Sequence, residues 1–447
     1  MPTIWENTPA YLLSKRYVVW AFREYFSSVT IVDEENLPAE GPVIFAPNHL
    51  NALMDALAVL ALPPRRLPKV FLARADLFRL PKVVVRFIRF TKILPAYRIR
   101  DGYDQLDRNK ETFEEAEQTL LNRSSVTVMP EGNQGEERNI RPLVKGIFRI
   151  AFSAQQKMPA GMSVKIIPIG LEYGDLIEYQ RSLIIKIGTP IDVADYMEQY
   201  AENQVKATNE LKNTLREALE SLTVHLPAGS NYPLYDTLVE WLAPEMAGNA
   251  ALPLPLRLFN ARCAVAAKLR DLEKNEPDTI ENIRRLHEKY KLLADRLQLP
   301  AGEASRPFVP GSGMLQIQLK IVLAWIGMLP GALINYLPYK LITSVPAMAG
   351  IRYSGFFSSV FYGSALIVLP LYYLAASSLL AATTPLAWWS LFVSIPLFYL
   401  SGKLSFRLYR CIRDLRRDRR MLKLQKKAGR SFDELIAIRL KIIALIR

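Results

Sequence analysis

His49 and Asp55 are side chains whose types and spacing suit acid–base catalysis. A histidine can act as a general base, while a carboxylate behind it fixes the imidazole tautomer and stabilises the imidazolium that forms. On one regular helix six residues turn through about 600°, so these two side chains would not share a face. The pairing therefore requires His49 on a loop and Asp55 in the first turn of the next helix, with Asn51 as that helix's N-cap.

A second polar segment follows residues 125–129, which are predicted to form a buried strand. Its glycines allow a ligand to approach the backbone closely, and its basic side chains suit a phosphorylated small molecule. A glycine turn with solvated charges is the alternative interpretation. The segment runs Met129-Pro130-Glu131-Gly132-Asn133-Gln134-Gly135 and continues to the cations Arg138, Arg141 and Lys145.

Strand-like and helix-like segments alternate between residues 35 and 192, and these elements must position both motifs. Such alternation is typical of an α/β layer structure. From 230 to 300 the pattern is helical, so a separate helical region is expected after the α/β domain. Buried strands are predicted at 42–46, 125–129, 165–169 and 183–187, and helices at 110–121, 143–155 and 196–223.

Composition excludes several classes of protein and of site. Half of the 447 residues are hydrophobic and 22% are charged, which excludes a mainly disordered or collagen-like chain. The chain has two cysteines and three histidines, so a disulfide framework or a cysteine-based zinc site is excluded. The sequence offers no cluster of metal ligands, and we expect chemistry that needs no metal.

A membrane region is indicated by fifty consecutive uncharged residues, 353–402. A bilayer core needs about 20 residues of helix, so this stretch suits two spans. Because Thr383-Thr384-Pro385 interrupts it, we predict a transmembrane hairpin of helices at 355–382 and 385–402. A buried helical core of a soluble protein is the alternative, but such helices rarely run this far without a charge.

Two further segments are predicted to lie at the membrane surface. Residues 321–339 are apolar over the length of a span, but Pro330, Asn335 and Pro338 break the helical pattern, which favours a re-entrant or interfacial segment. Residues 9–30 predict an amphipathic interfacial helix, with an ordinary surface helix as the alternative. The aromatic residues of this helix are Trp20, Phe22, Tyr25 and Phe26.

The net charge of +14 is concentrated in two basic blocks. Residues 65–100 contain eleven Lys or Arg and one Asp, and residues 403–430 contain twelve Lys or Arg and two Asp. Such blocks indicate an anionic partner, either nucleic acid or an anionic membrane surface. No nucleic-acid recognition module is apparent, so the membrane is favoured over a membrane-tethered nucleic-acid-binding protein.

The order of the motifs resembles that of the glycerolipid acyltransferases over residues 35–195. The spacing of His49 and Asp55, and the residues after Gly132, resemble the fungal-type subgroup, which acylates glycerol 3-phosphate and dihydroxyacetone phosphate. The four blocks that carry the resemblance are Asn48-His49 with Asp55, Leu94-Pro95-Ala96-Tyr97-Arg98, Met129-Pro130-Glu131-Gly132, and Ile167-Pro168-Ile169-Gly170.

This resemblance implies an α/β acyltransferase domain, which the residue patterns above place before a helical region and a C-terminal transmembrane helical hairpin. It implies transfer of a fatty acyl group to a hydroxyl of glycerol 3-phosphate or dihydroxyacetone phosphate, an early step of phosphatidic acid and phospholipid synthesis. The donor is a thioester of coenzyme A or of acyl carrier protein, and no cofactor is required. A lysolipid such as 1-acylglycerol 3-phosphate is the alternative acceptor, and a catalytically inactive scaffold of the same fold is the rival interpretation.

The resemblance also implies roles for individual residues. His49 and Asp55 are the predicted catalytic residues. Backbone amides near the Pro130–Gly132 turn are expected to hold the thioester oxyanion or the acceptor. Glu131 is expected to bind an acceptor hydroxyl, and the cations are expected to bind its phosphate. The predicted substrate-binding residues are Asn48, Arg98, Glu131, Gly132, Arg141 and Lys145.

The predicted organisation divides the chain into five segments. The positive-inside rule places the basic tail in the cytoplasm, and the hairpin returns the catalytic domain to the same side. The segments are an interfacial helix at 1–34, the acyltransferase domain at 35–225, a helical region at 226–310, the membrane region at 311–402 and the basic tail at 403–447.

Overall fold

The computed structural model divides the chain into two compact units. The first comprises Met1–His225 together with Tyr353–Ser359, and the second comprises Leu226–Arg352 together with Val360–Arg447. The structure describes residues 3–64, 67–97, 109–248, 251–300, 313–384 and 389–446.

The first unit is built on one mixed sheet. Its strands are β1 Ser28–Val32, β2 Val43–Pro47, β3 Lys69–Arg74, β4 Ile93–Ala96, β5 Ser125–Thr127, β6 Lys165–Tyr173, β7 Ser182–Ile187 and β8 Ile191–Asp192. They lie in the order β1-β7-β6-β2-β5-β3-β4, with β8 beside β6. The strands from β6 through β2, β5 and β3 to β4 are parallel neighbours, whereas β7 and β8 each run antiparallel to β6.

The helices of this unit lie before, between and after its strands in the sequence, and those with buried apolar residues pack against the sheet. They are α1 Pro9–Tyr25, α2 Ala52–Leu60, α3 Lys82–Phe90, α4 Asn109–Leu121, α5 Gly146–Gln156, α6 Met197–Glu202 and α7 Gln204–Leu222. Residues of α4, α5 and α7 form one core with the central strands, where Phe148, Leu211 and Ile44 are fully buried. The predicted α/β fold is confirmed, and its central strand β2 is buried along its whole length, as expected of a parallel strand covered on both faces.

The boundaries of this unit differ from those predicted. Residues 28–32 form β1, which pairs in parallel with β7, so the sheet begins before residue 35. The helix predicted at 9–30 ends at Tyr25. Its aromatic residues differ in burial, since Phe22 and Tyr25 are buried in the unit, whereas Trp20 is 52% exposed. The predicted helix at 196–223 breaks at Asn203, whose side chain caps the start of α7 by accepting from the Lys206 amide.

Gly170, the last residue of the fourth block, is required by close packing. A Cβ atom at this position of β6 would lie 2.3 Å from the carbonyl oxygen of Leu222, at the end of α7. We expect Gly170→Ala to destabilise this unit by about 1–3 kcal/mol, since neither backbone segment can move without disturbing the core. Thermal unfolding in detergent measures the effect. Gly313→Ala is the matched control because a Cβ there meets nothing within 4 Å, and an equal change in both variants would contradict the prediction.

The described part of the second unit is helical. Its helices are α8 Tyr232–Met246, α9 Leu254–Asn275, α10 Pro277–Arg296, α11 Met314–Met348, α12 Phe357–Thr383, α13 Ser390–Ala428 and α14 Arg430–Ile446, of which α12 begins in the first unit. Helix α14 packs its buried face, which includes Leu435 and Ile442, in a bundle with α9 and α10. The helical region predicted after the α/β domain is confirmed. Its bundle also contains α14, which lies within the predicted tail segment at 403–447.

Three helices of the described residues, α11, α12 and α13, are long and apolar enough to cross a membrane. The break predicted within 321–339 is wrong, because α11 runs without interruption through Pro330 and Pro338. The re-entrant or interfacial assignment of that segment rested on this break and loses its support. Helix α13 also continues through Gly402 into the basic residues, so no structural boundary separates the predicted span from the tail. Residues 385–388, including the predicted helix start at Pro385, lie outside the described residues.

Candidate active site

His49 and Asp55 meet at the end of the central strand. Strand β2 ends at Pro47 and α2 begins at Ala52, so His49 lies on the connecting loop and Asp55 in the first helical turn. The imidazole Nδ1 lies 2.8 Å from the Asp55 Oδ2. The geometric condition deduced from the six-residue spacing is therefore met.

The pairing fixes the chemistry that His49 can perform. The Asp55 side chain is fully buried, whereas that of His49 is 16% exposed. The buried carboxylate accepts a hydrogen bond from Nδ1–H, which leaves Nε2 as the proton acceptor of the neutral ring. A histidine held in this way can remove a proton from a hydroxyl while the carboxylate stabilises the imidazolium.

Tyr173 provides a second support for Asp55, and sequence reasoning missed it. Its hydroxyl donates to Asp55 Oδ1 at 2.6 Å, and the Asn51 amide donates to Oδ2 at 2.7 Å. Both carboxylate oxygens are thus held in place. Burial raises the pKa of Tyr173 well above its ordinary value, and the Asp55 charge adds to the rise, so the phenol remains a donor. Tyr173 is the last residue of β6, and only the adjacency of β6 and β2 brings it to Asp55.

We expect Tyr173→Phe to lower kcat about tenfold, because the lost free energy of one hydrogen bond to a charged group corresponds to about this factor in rate. It should also move the acidic limb of the pH profile of kcat/KM to higher pH, because Asp55 with one donor fewer holds the imidazole proton more strongly. Steady-state acyl transfer between pH 5 and 9 measures both effects. Tyr200→Phe is the control, since Tyr200 stacks on Phe152 elsewhere in the same unit. An unchanged pH profile for Tyr173→Phe would argue against this role.

Glu131 holds the backbone of His49 from the neighbouring strand. Strand β5 is the parallel neighbour of β2, so the Met129–Gly132 block and the His49 loop emerge at the same edge of the sheet. The carboxylate accepts from the His49 amide at 2.7 Å and from the Arg141 amide at 3.0 Å, and it pairs with the Arg141 guanidinium at 2.9 Å. The first and third blocks are therefore one hydrogen-bonded structure.

Arg141 completes this support of His49. Its Nη2 donates to the carbonyl oxygens of His49 and Asn133, each at 2.7 Å, while also pairing with Glu131. The Gly135 amide donates to the same His49 carbonyl at 3.2 Å. The guanidinium packs so closely on Gly135 that a Cβ there would overlap it. The structure thus gives Arg141 an internal role beside the predicted phosphate contact.

Glu131 is only 5% exposed, and this burial affects the ionisation of its carboxyl group. Burial raises the pKa of this carboxyl above its ordinary value, and the Arg141 charge and the amides of Arg141 and His49 oppose the rise. Every described partner of the carboxylate is an N–H donor, so the ionised form is the one that these contacts fit. Three contacts already occupy its two oxygens, which gives Glu131 a positioning role in addition to the predicted contact to a hydroxyl.

Gly132 forms the turn that returns the chain from β5. Its φ of +70° favours glycine, and a Cβ would lie 2.8 Å from a methyl carbon of Val144. The Gly132 amide donates to the Met129 carbonyl, and Pro130 has no amide hydrogen. The amides that are expected to hold the oxyanion or the acceptor must therefore belong to other residues near this turn, for which the expectation stays a prediction.

The remaining predicted residues lie in different surroundings. Asn48 is 2% exposed, and its carboxamide both donates to and accepts from the Leu171 backbone. It extends the pairing of β2 with β6, so the predicted substrate contact is replaced by a structural role. Lys145 is exposed at the start of α5 and, among the described residues, makes no hydrogen bond or ion pair with the other site residues. Arg98 lies outside the described residues.

Comparison with known proteins agrees with this geometry. Residues 28–172 match the family model Acyltransferase. The matched stretch begins at Ser28, the first residue of β1. Glycerol-3-phosphate O-acyltransferase 1 of Saccharomyces cerevisiae is 26% identical over 140 residues, covering 31% of this chain and 18% of that protein. Glycerol-3-phosphate O-acyltransferase 2 of the same yeast is 28% identical over 132 residues, covering 29% of this chain and 17% of that protein.

The matched stretch spans less than a fifth of the length of either yeast relative. Among solved structures, the 1-acyl-sn-glycerophosphate (LPA) acyltransferase PlsC from Thermotoga maritima aligns with 47% of this chain and 77% of that chain, at 20% identity and a TM-score of 0.32. The resemblance first seen in the four blocks is confirmed by the family model and the yeast relatives. Residues 28–172 therefore carry the match to the acyltransferase family.

Proposed function

We propose that this chain transfers a fatty acyl group from an acyl thioester to a hydroxyl of glycerol 3-phosphate or dihydroxyacetone phosphate. The observation that carries the proposal is the buried Asp55 bound to Nδ1 of a partly exposed His49, inside an acyltransferase domain. The names of the two yeast relatives support glycerol 3-phosphate as the acceptor.

The reaction proceeds by direct transfer between the two substrates. Nε2 of His49 removes the hydroxyl proton as the oxygen attacks the thioester carbon, and Asp55 stabilises the imidazolium. The tetrahedral intermediate collapses with cleavage of the C–S bond, and the imidazolium returns the proton to the leaving thiolate. The ester and the free thiol are the products, so atoms and charge balance without a metal or cofactor.

The acceptor phosphate requires a cation that other contacts do not occupy. Lys145 is exposed, whereas the Arg141 Nη2 already has three acceptors, so we favour Lys145, together with the predicted Arg98, as the phosphate-binding residues. Lys145→Ala should then raise KM for the phosphorylated acceptor and leave KM for the acyl donor unchanged.

Purified full-length protein in detergent, with labelled acyl-CoA, tests the proposed reaction. Glycerol 3-phosphate, dihydroxyacetone phosphate and 1-acylglycerol 3-phosphate are offered in parallel, and the acyl-carrier-protein thioester replaces acyl-CoA in a second series. Transfer to either non-acylated phosphate supports the proposal. Transfer to the lysolipid alone would replace the acceptor, and failure with every acceptor and both donors would overturn the proposed reaction.

The apolar helices α11, α12 and α13 support a bilayer as the site of this reaction. In our proposal the catalytic unit and the basic tail share the cytoplasmic side, as the basic residues after 403 favour, which requires that an even number of the three helices cross the bilayer. The packing of α14, which follows these helices, against α9 and α10, which precede them, supports this arrangement. Single cysteines replacing the exposed Glu198 and Lys427, in a chain without Cys263 and Cys411, test this in sealed vesicles. An impermeant thiol reagent should label both positions from the same side, and labelling from opposite sides would overturn the orientation.

A further inference from the structure

The N-terminus of α2 is capped by a residue more than 300 positions away in the sequence. Asn51 occupies the N-cap position, as predicted, but its side chain makes no capping hydrogen bond. The Leu53 amide instead donates to Oγ of Ser359 at 3.2 Å. Ser359 lies in the first turn of α12 and belongs to the same compact unit as the catalytic loop.

The carboxamide of Asn51 is occupied by other partners. Ser358 is 1% exposed, and its hydroxyl donates to Asn51 Oδ1 at 2.6 Å. The amide group of the same side chain donates to the Leu176 carbonyl at 2.7 Å. Because the Asn51 backbone amide donates to Asp55 Oδ2, a continuous series of hydrogen bonds runs from Ser358 through Asn51 and Asp55 to His49.

The backbone between these two contacts is strained. Ala52 has a φ of +38°, a region that residues with a side chain rarely adopt. Such a conformation persists only where the surroundings hold it on both sides. Ser358 holds Asn51 on one side of Ala52, and Ser359 holds Leu53 on the other.

The same segment also contacts the loop that follows the third block. Ser354 donates to Glu136 Oε1 at 2.9 Å. Glu136 directly follows Gly135, whose amide donates to the His49 carbonyl. Tyr353–Ser359 therefore contacts both loops that hold His49.

We propose that Ser358 and Ser359 are positioning residues of the His49–Asp55 pair, and that Tyr353–Ser359 is an integral part of the catalytic unit. This role rests on the proposed acyl transfer. The hydroxyls hold the strained turn at Ala52, and that turn sets where the Asn51 amide meets Asp55. Loss of both hydroxyls lets the turn relax, which changes the orientation of Asp55 and the position of Nε2. Neither serine is expected to contact a substrate.

Kinetics of the full-length Ser358→Ala, Ser359→Ala and double variants test the inference. We expect the kcat of the double variant to be about 10- to 100-fold lower, with both KM values nearly unchanged. A small displacement of a catalytic group lowers the rate by a factor of this size. Ser359→Thr keeps the hydroxyl and should restore most of the rate lost in Ser359→Ala. Ser364→Ala is the control, since Ser364 lies further along α12 and, within the described residues, makes no hydrogen bond to the loop.

Hydrogen exchange measures the same contact without any substrate. The peptide that contains the Leu53 amide should exchange faster in Ser359→Ala than in the wild type, and at the wild-type rate in Ser364→Ala. A double variant with wild-type kcat and wild-type exchange would overturn the positioning role. An inactive wild type whose Leu53 peptide is nonetheless deprotected by Ser359→Ala would instead indicate failure of the proposed reaction, with the structural contact intact.

Discussion

Asp55→Asn should reduce kcat for acyl transfer by about 10²- to 10⁴-fold while the protein remains folded. The carboxamide has the shape of the carboxylate and can still accept from the Asn51 amide and from Nδ1 of His49. Tyr173 can rotate its hydroxyl to accept from the new amide group. What the variant loses is the negative charge that stabilises the imidazolium, which forms only as the hydroxyl is deprotonated.

The measurement is kcat and KM for both substrates, alongside thermal unfolding. KM values should change little, because neither Asp55 oxygen is exposed to a substrate. Asp76→Asn provides a matched control, since Asp76 is an acid of the same unit that pairs with Arg74 at the surface. Retention of more than a tenth of the wild-type kcat in Asp55→Asn would contradict the assignment of Asp55.

Glu131→Gln should cost about 10²-fold in kcat and about 1–3 kcal/mol in the free energy of unfolding. Glutamine keeps one acceptor oxygen, which can serve the His49 amide. Its amide group must then face the Arg141 amide and guanidinium, so the Arg141 amide loses its acceptor and, among the described residues, the guanidinium keeps only the carbonyl oxygens of His49 and Asn133. The loss should exceed that of an ordinary hydrogen bond because the Arg141 charge is left without its partner.

Glu137→Gln is the control for this substitution, since Glu137 is an exposed acid of the same loop. Activity and thermal unfolding are measured for both variants at the same pH. Because burial raises the pKa of Glu131, the wild-type carboxylate is protonated at a higher pH than an ordinary glutamate, so the activity that depends on its ionised contacts falls as the pH approaches that value. The free energy of unfolding does not fall for this reason, since the folded form holds this proton more tightly than the unfolded chain. The glutamine side chain of Glu131→Gln does not ionise, so the variant should lack this pH dependence of activity. A Glu131→Gln variant as active and as stable as Glu137→Gln would show that the contacts of Glu131 do not position His49.

The parts of the site that are local in the sequence could be predicted from it. His49 and Asp55 lie on one loop and one helical turn, so their spacing alone states the geometry that joins them. The sheet and its central strand follow from apolar runs bounded by turns. Strand β1 was missed because it directly follows a helix, although its β-branched residues from Val29 to Val32 were the available signal.

The remaining contacts depend on tertiary structure. Tyr173 reaches Asp55 only because β6 lies beside β2, and Ser358 reaches Asn51 across more than 300 residues. Asn48 was expected to face a substrate because it is polar and follows a strand, but its carboxamide pairs with the backbone of the next strand. The prolines of α11 were expected to interrupt it, yet neighbouring helices and side chains in a membrane-type bundle can satisfy the backbone groups that proline frees. Tyr372 of α12 shows this, since its hydroxyl donates at 2.7 Å to the carbonyl of Ile334, the group that Pro338 leaves without its helical donor.

The central claim is that His49 is the base of an acyl transfer reaction, and the small number of histidines allows a direct test. The chain has three histidines, and His287 packs against Trp241 in the second unit. Initial rates with labelled acyl-CoA and glycerol 3-phosphate are compared for the wild type, His49→Ala and His287→Phe. We predict that His49→Ala loses at least about 10³-fold in kcat, whereas His287→Phe retains the wild-type rate. A His49→Ala protein that still transfers the acyl group at a rate near that of the wild type would contradict the account.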